Sequence, residues 1–180
     1  MSQDQSPLDL KGLPFAATLP LQIQHKFSHA QPLYSALEVR AAADRLAVHL
    51  TVDWQDQNPL CVVMLPGGLL FAGMLMQRMV FPLQLRTLAQ DKIGEVVDET
   101  MAGRPVLFID GVFDRELYAS VKAKWIAAGA KDVRSVTLLD PNTGPGADYA
   151  ALRCPAKQFP GSGLSLQGYG ANFPGVYTID

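Results

Sequence analysis

The run Leu60 to Leu65, LCVVML, constrains the fold more than any other stretch, because no position in it is polar. A strand that is apolar at every position must be covered on both faces, as strands of a parallel sheet are. Pro66-Gly67-Gly68 breaks the run, and LLFAGMLMQRM (69–79) predicts a helix. FPLQLRT (81–87), VLFI (106–109) and VRSVTLLD (133–140) predict three more strands. Between the last two lies a helix over 117–128, with Leu117, Val121 and Trp125 on one face. Asp114 and Glu116 stand at its positive end, Lys122 and Lys124 nearer the negative end, and Gly129 follows as the stop. A further helix is expected over 32–50, with Pro32 in its first turn and Leu33, Leu37, Ala41, Leu46 and Leu50 as its apolar face. Strands alternating with helices predict an α/β fold: a twisted, mostly parallel sheet with right-handed crossovers and helices on both faces.

The 180 residues, 48% of them hydrophobic, fit a single domain. Within it, residues 1–30 are expected to form a loose lead-in that wraps a core over 31–153. Residues 90–103 are expected to be a polar connection. The last stretch, 154–180, has five glycines and three prolines and predicts a loop-built cap. A net charge of −2 argues against a nucleic-acid partner, which would require a basic excess. Arg78, Arg86 and Asp91 interrupt every apolar run long enough to be a candidate bilayer span, so no membrane is expected. The N-terminus carries acids where a signal peptide carries bases, which predicts a cytoplasmic protein. Cys61 and Cys154 read as reduced thiols, and Trp125 and Met74 to Met79 as core. His25 and His29, four apart, would share a helical face, but no third metal ligand stands near them.

Function turns on VLFIDGVFDRELYASV, which begins at Val106. A strand ending in Asp110, a short turn and a helix N-terminus make an anion-binding design. Yet the turn holds Arg115, Glu116, Leu117 and Tyr118 rather than glycine and a hydroxyl. Asp114 reads either as a proton acceptor or as a helix N-cap. Asp110 reads either as a ligand group or as a solvated turn residue. Gly67 and Gly68 either approach a ligand or only let the chain turn into its helix.

Three stretches together resemble the hypoxanthine–guanine phosphoribosyltransferase family: MLPGGLLFAGML, VLFIDGVFDRELYASV with GAKDVRSVTLLD after it, and ADYAALRCPAKQFPGSGLSLQGYG. The resemblance runs from about residue 32 to the C-terminus. It implies the type I phosphoribosyltransferase fold, with 154–180 as a small hood. It also implies transfer of ribosyl 5-phosphate from phosphoribosyl diphosphate, with Mg²⁺, to N9 of hypoxanthine or guanine. In those terms Asp114 is the purine base catalyst and Asp110 the first of an acidic pair. Gly67 and Gly68 belong to the pyrophosphate turn, Arg115 would supply charge to the phosphate in an active enzyme, and Phe159, after a shift, would take over stacking on the purine from position 158. No residue of this chain is assigned to a metal.

The same resemblance exposes departures. Gly111 replaces the second acid, and Arg115 to Tyr118 replace the Thr-Gly-x-Thr phosphate cradle. A carboxylate such as Glu116, about 5 Å from a phosphate dianion, costs on the order of several kcal/mol at an effective dielectric near 20. Pro66, Pro141, Gln158, Ser165 and Ala171 fall where the family has, in turn, the lysine of Lys-Gly-Gly, a purine-reading lysine, a stacking aromatic, a metal-binding acid and a pyrophosphate arginine. The 90–103 connection is shorter than the family's mobile loop. These departures predict a divergent member with weak or lost transferase activity that retains purine or purine-nucleotide binding, with Glu116 or Tyr118 filling the phosphate volume. Two alternatives stand beside it: an active enzyme that uses Mg²⁺, and a structural or regulatory subunit with no small ligand. A homo-oligomer is expected, as is a cis Leu65–Pro66 bond inherited from the family's turn.

Overall fold

The computed structural model describes residues 14–92, 99–141, 144–155 and 157–179. The continuous apolar run becomes β2 (Leu60–Leu65), with its first five residues buried. It lies between β3 (Gln84–Ala89) and β4 (Pro105–Val112), and β5 (Asp132–Pro141) and β6 (Tyr149–Cys154) extend the sheet in the order β3-β2-β4-β5-β6. All four pairings are parallel. Cys61, Val63, Leu107 and Ile109 face a core shared with α2 (Ala36–Trp54) and α3 (Leu69–Met76). Leu60, Val62, Val106 and Phe108 face Val121 and Trp125 of α4 (Arg115–Ala127). The expected α/β sheet with helices on both faces is therefore present, and so is the expected inward face of α4. Leu65–Pro66 is cis, as expected. Both cysteines are buried and free.

Several expectations need correction. The helix expected over 32–50 begins only at Ala36, behind a capping box in which Ser35 accepts from the Glu38 N–H and Glu38 accepts from the Ser35 N–H. Pro32 and Leu33 lie instead in β1 (Gln31–Tyr34), which pairs antiparallel with β7 (Val176–Thr178). The expected apolar face was misplaced as well. Leu37 is 66% exposed, and the buried face is Val39, Ala42, Ala43, Leu46, Ala47, Leu50 and Trp54. Small alanines allow α2 to lie close to the sheet, and a count of leucines passes over them.

The lead-in is also more ordered than expected over its described part. Residues Leu21–Phe27 form α1, whose Ile23 and Phe27 pack against Leu166, Phe173, Tyr177 and Ile179 of the hood. The strand expected over 106–109 runs on to Val112, so Asp110 and Gly111 lie within β4. Helix α3 ends at Met76 and β3 starts at Gln84, each shorter at one end than expected. Besides β1, two further strands, β6 and β7, were not expected. Residues 1–13 of the lead-in and 93–98 of the polar connection lie outside the described residues. Among the described residues no helix is long and apolar enough to cross a membrane.

Candidate functional site

The carboxyl ends of β2 and β4 open into a cleft of about 860 Å³, roofed by the hood. Open parallel sheets place their ligands at such strand ends. One wall is the cis turn Leu65-Pro66-Gly67, and the floor is Asp110 with the segment Val112 to Leu117. The roof is Lys157 to Phe159 with Leu164 to Gln167, and Lys26 of α1 reaches in beneath it.

Glycine is required at two positions behind the cleft surface for lack of room. A Cβ on Gly68, the N-cap of α3, would stand 2.8 Å from the carbonyl oxygens of both Met64 and Ile109. A Cβ on Gly111 would stand 2.6 Å from the Gly67 carbonyl oxygen and would run into the Leu164 side chain. No side chain fits at 111 unless both the turn and the hood move.

Asp110 lies beside Gly67 and accepts a hydrogen bond from the Gly111 N–H at 2.6 Å. Burial pushes its carboxyl up to about 6; the Gly111 N–H opposes the shift and the charge of Asp114 adds to it. Asp114 is the N-cap of α4, with Oδ1 accepting from the Leu117 N–H at 3.0 Å. The chain's own carboxylate therefore sits on the helix end that would otherwise attract an external anion. Arg115 lines the cleft and carries its guanidinium to Gly144, in the connection between β5 and β6.

Glu116 lines the cleft, whereas Tyr118 does not. Its hydroxyl donates to Asp148 Oδ2 at 2.6 Å, with the Val133 carbonyl oxygen 2.9 Å away, and it accepts from Lys122 Nζ. Of the two residues expected to fill the phosphate volume, Glu116 lies in the cleft lining, whereas the Val133 carbonyl and Asp148 hold Tyr118 outside it.

No family model matches the chain. The hypoxanthine-guanine phosphoribosyltransferase of Bacillus subtilis is 28% identical over 132 residues, which is 66% of this chain and 73% of the relative. The hypoxanthine-guanine phosphoribosyltransferase of Streptococcus mutans is 27% identical over 164 residues, 82% of this chain and 91% of the relative. The structure of a hypoxanthine-guanine-xanthine phosphoribosyltransferase superposes with a TM-score of 0.74 at 20% identity, covering 83% of this chain and 94% of the other. That of the Trypanosoma cruzi hypoxanthine phosphoribosyltransferase, in complex with the product IMP, gives 0.72 at 18% identity over 84% and 95%. Over most of its length the chain is similar to hypoxanthine–guanine phosphoribosyltransferases. Its fold is the type I phosphoribosyltransferase fold.

Against that family's chemistry, the structure brings together Gly67, Asp110, Asp114, Arg115 and Phe159 around one cleft. Gly68 stays behind them, as the N-cap of α3 packed on β4. Phe159 is only 7% exposed and is packed into the core beneath the hood. Gln158 and Ser165 line the cleft, while Pro141 and Ala171 are not in its lining. Pro141 ends β5 opposite Cys154, and the Ala171 carbonyl accepts from the Gly163 N–H. Lys26, Lys157 and Leu164 also line the cleft and were not expected there. Lys157 adjoins Gln158 in a segment already singled out, so its neighbour was a usable signal. Lys26 gave none while its segment read as a lead-in.

The Mg²⁺ that a working phosphoribosyltransferase of this family would use does not fit this floor. Position 111 has no room for a second acid, and Asp114 Oδ1 is already engaged by the Leu117 N–H. Among the described residues no three of His, Cys, Asp and Glu converge on a metal position. His25 and His29 stack 4.8 Å apart, with His29 Nδ1 bonded to the His25 carbonyl.

Proposed function

We propose that this chain is a divergent hypoxanthine–guanine phosphoribosyltransferase-like protein of purine salvage type, in which the cleft holds a purine and phosphoribosyl transfer is weak or lost. The observation that carries this reading is the interlock of Gly111, Gly67 and Leu164, which leaves no space for the second acid of a ribose grip. The self-capped end of α4 supports it, since Asp114 already takes the Leu117 N–H, one of the first-turn donors a 5′-phosphate would use. Retention of a purine is supported by the surviving cleft and by relatives named for hypoxanthine and guanine. In this chain Phe159, Gln158 and Lys157 would meet the base, and Asp110 would meet whatever hangs from N9.

A coupled assay with hypoxanthine or guanine, phosphoribosyl diphosphate and Mg²⁺ tests the loss. The expected turnover lies orders of magnitude below the enzyme median of about 10 s⁻¹, and a value near that median overturns the reading. Hypoxanthine and guanine should each raise the melting temperature, because a ligand that binds only the folded state stabilises it. A melting temperature that neither base moves would favour a subunit without a small ligand. The active-enzyme reading keeps one observation in its favour, namely that Asp110 and Asp114 both remain on the floor. The coupled assay decides between the two.

A further inference from the structure

The cleft has two ends of opposite chemistry. At the roof, Lys26 and Lys157 flank Gln158, with Lys26 Nζ donating to Gln158 Oε1 at 3.4 Å. At the floor stand Asp110, Asp114 and Glu116, and Asp114 already accepts from the first turn of α4. Between them the Leu164 side chain of the roof reaches down to Gly111. A purine placed against Phe159 therefore directs its N9 substituent away from the lysines and toward carboxyl groups.

Two substituents are chemically distinct there. A bare ribose presents hydroxyl donors, which carboxylate oxygens accept. A ribose 5-phosphate presents acceptor oxygens and a charge near −2, which carboxylates repel and a self-capped helix end serves poorly. The volume of about 860 Å³ leaves space for more than a base. Arg115 does not reverse the balance, because its guanidinium lies against Gly144 in the β5–β6 connection.

We propose that the cleft takes a purine nucleoside in preference to its 5′-monophosphate, with Glu116 and the capping Asp114 as the groups that set the choice. This rests on the reading of the cleft as a purine site and narrows its ligand class to unphosphorylated sugars. Glu116 is the testable determinant. It lies in the first helical turn and lines the cleft, and its carboxylate has no capping role in the structure.

The experiment is calorimetric titration of the full chain at pH 7.5 without metal, using inosine, guanosine, IMP, GMP and hypoxanthine. It is run on the wild type and on Glu116→Lys and Glu116→Gln, each first shown to be folded by circular dichroism and melting. The expected result is inosine binding at least about tenfold tighter than IMP, a difference of about 1.4 kcal/mol. Raising the salt should narrow that ratio, since screening weakens the repulsion. The ratio of inosine to IMP affinity should fall by about tenfold in Glu116→Lys and by less in Glu116→Gln. IMP binding as tightly as inosine overturns the nucleoside preference and leaves the purine reading intact. A ratio unmoved in both variants overturns the role of Glu116. If no probe binds, hypoxanthine included, the purine reading falls and this inference falls with it.

Discussion

A carboxyl moved out of water favours its neutral form, and Asp110 is one whose ionisation is pushed up to about 6, mainly by burial. The folded chain then binds more protons than the unfolded chain between about pH 4 and pH 6. Its contribution to stability is full below the unfolded value and is lost as pH rises through the folded one. At roughly 1.4 kcal/mol per unit, and allowing for partial solvent screening, the loss amounts to about 2 kcal/mol. Urea denaturation of wild type and Asp110→Asn from pH 4 to 7.5 should show the variant gaining on the wild type by that amount. Parallel pH profiles would refute the burial argument. Two glycines give a second residue-scale test. Gly73 in α3 has open space around a would-be Cβ, so Gly73→Ala should stabilise by about 0.5–1 kcal/mol. Gly111→Ala forces a methyl onto the Gly67 carbonyl and Leu164, and should destabilise by about 2 kcal/mol or more. In sequence the two glycines look alike. What separates them is a hood residue far along the chain, which local pattern cannot supply. The capping role of Asp114 was legible because an N-cap needs only its own neighbours, whereas the direction of Tyr118 depends on Val133 and Asp148.

Helix α4 is held by separate devices whose strengths can be measured apart. Asp114 caps it, Val121 and Trp125 bury its inner face, and Tyr118 ties its first turn to Asp148. Burial alone would raise the Asp148 carboxyl, but donors from Tyr118, Ser135 and Arg134 outweigh it and hold it below the usual range. Asp114→Ala should cost about 1 kcal/mol in chemical denaturation, while Asp114→Asn, which still caps, should cost only a few tenths. If instead the pair shows equal stability losses, the capping geometry is wrong. Any residual transferase activity gives a second readout: a base catalyst is lost in Asp114→Asn although the cap is kept. At this scale the sequence was readable where an element's own residues decide it. The apolar run made β2 and the stepwise spacing made α4. The start of α2 was in plain view as Ser35 and Glu38, yet Pro32 competed as a start signal and β1 claimed it instead. β6 and β7 were not readable, since YAALRC and VYT become strands through the partners beside them.

For the whole molecule, alternating strands and helices were enough to specify a parallel sheet, but not what closes over it. The roof depends on α1, which packs Ile23 and Phe27 against Leu166, Phe173, Tyr177 and Ile179. These contacts span most of the chain; Gln22, for example, donates to Gln167, 145 residues further on. No local periodicity announces such a pairing, and so the segment read as a wrapping lead-in. Removing residues 1–30 should therefore leave the far-ultraviolet signal of the five-stranded sheet largely intact and make 157–179 the first site of limited proteolysis. A hood that resists protease as well as the full chain does would show that α1 is dispensable. The same long-range pairing bears on how the protein is made. A ribosome releases α1 well before its hood partners, so Ile23 and Phe27 emerge with nothing to bury them. The central strands can associate while translation continues, but the roof of the cleft must wait for Tyr177 and Ile179. A nascent chain stalled shortly before Phe173 would carry a sheet without its lid, and its earliest helix would remain open to capture by chaperones.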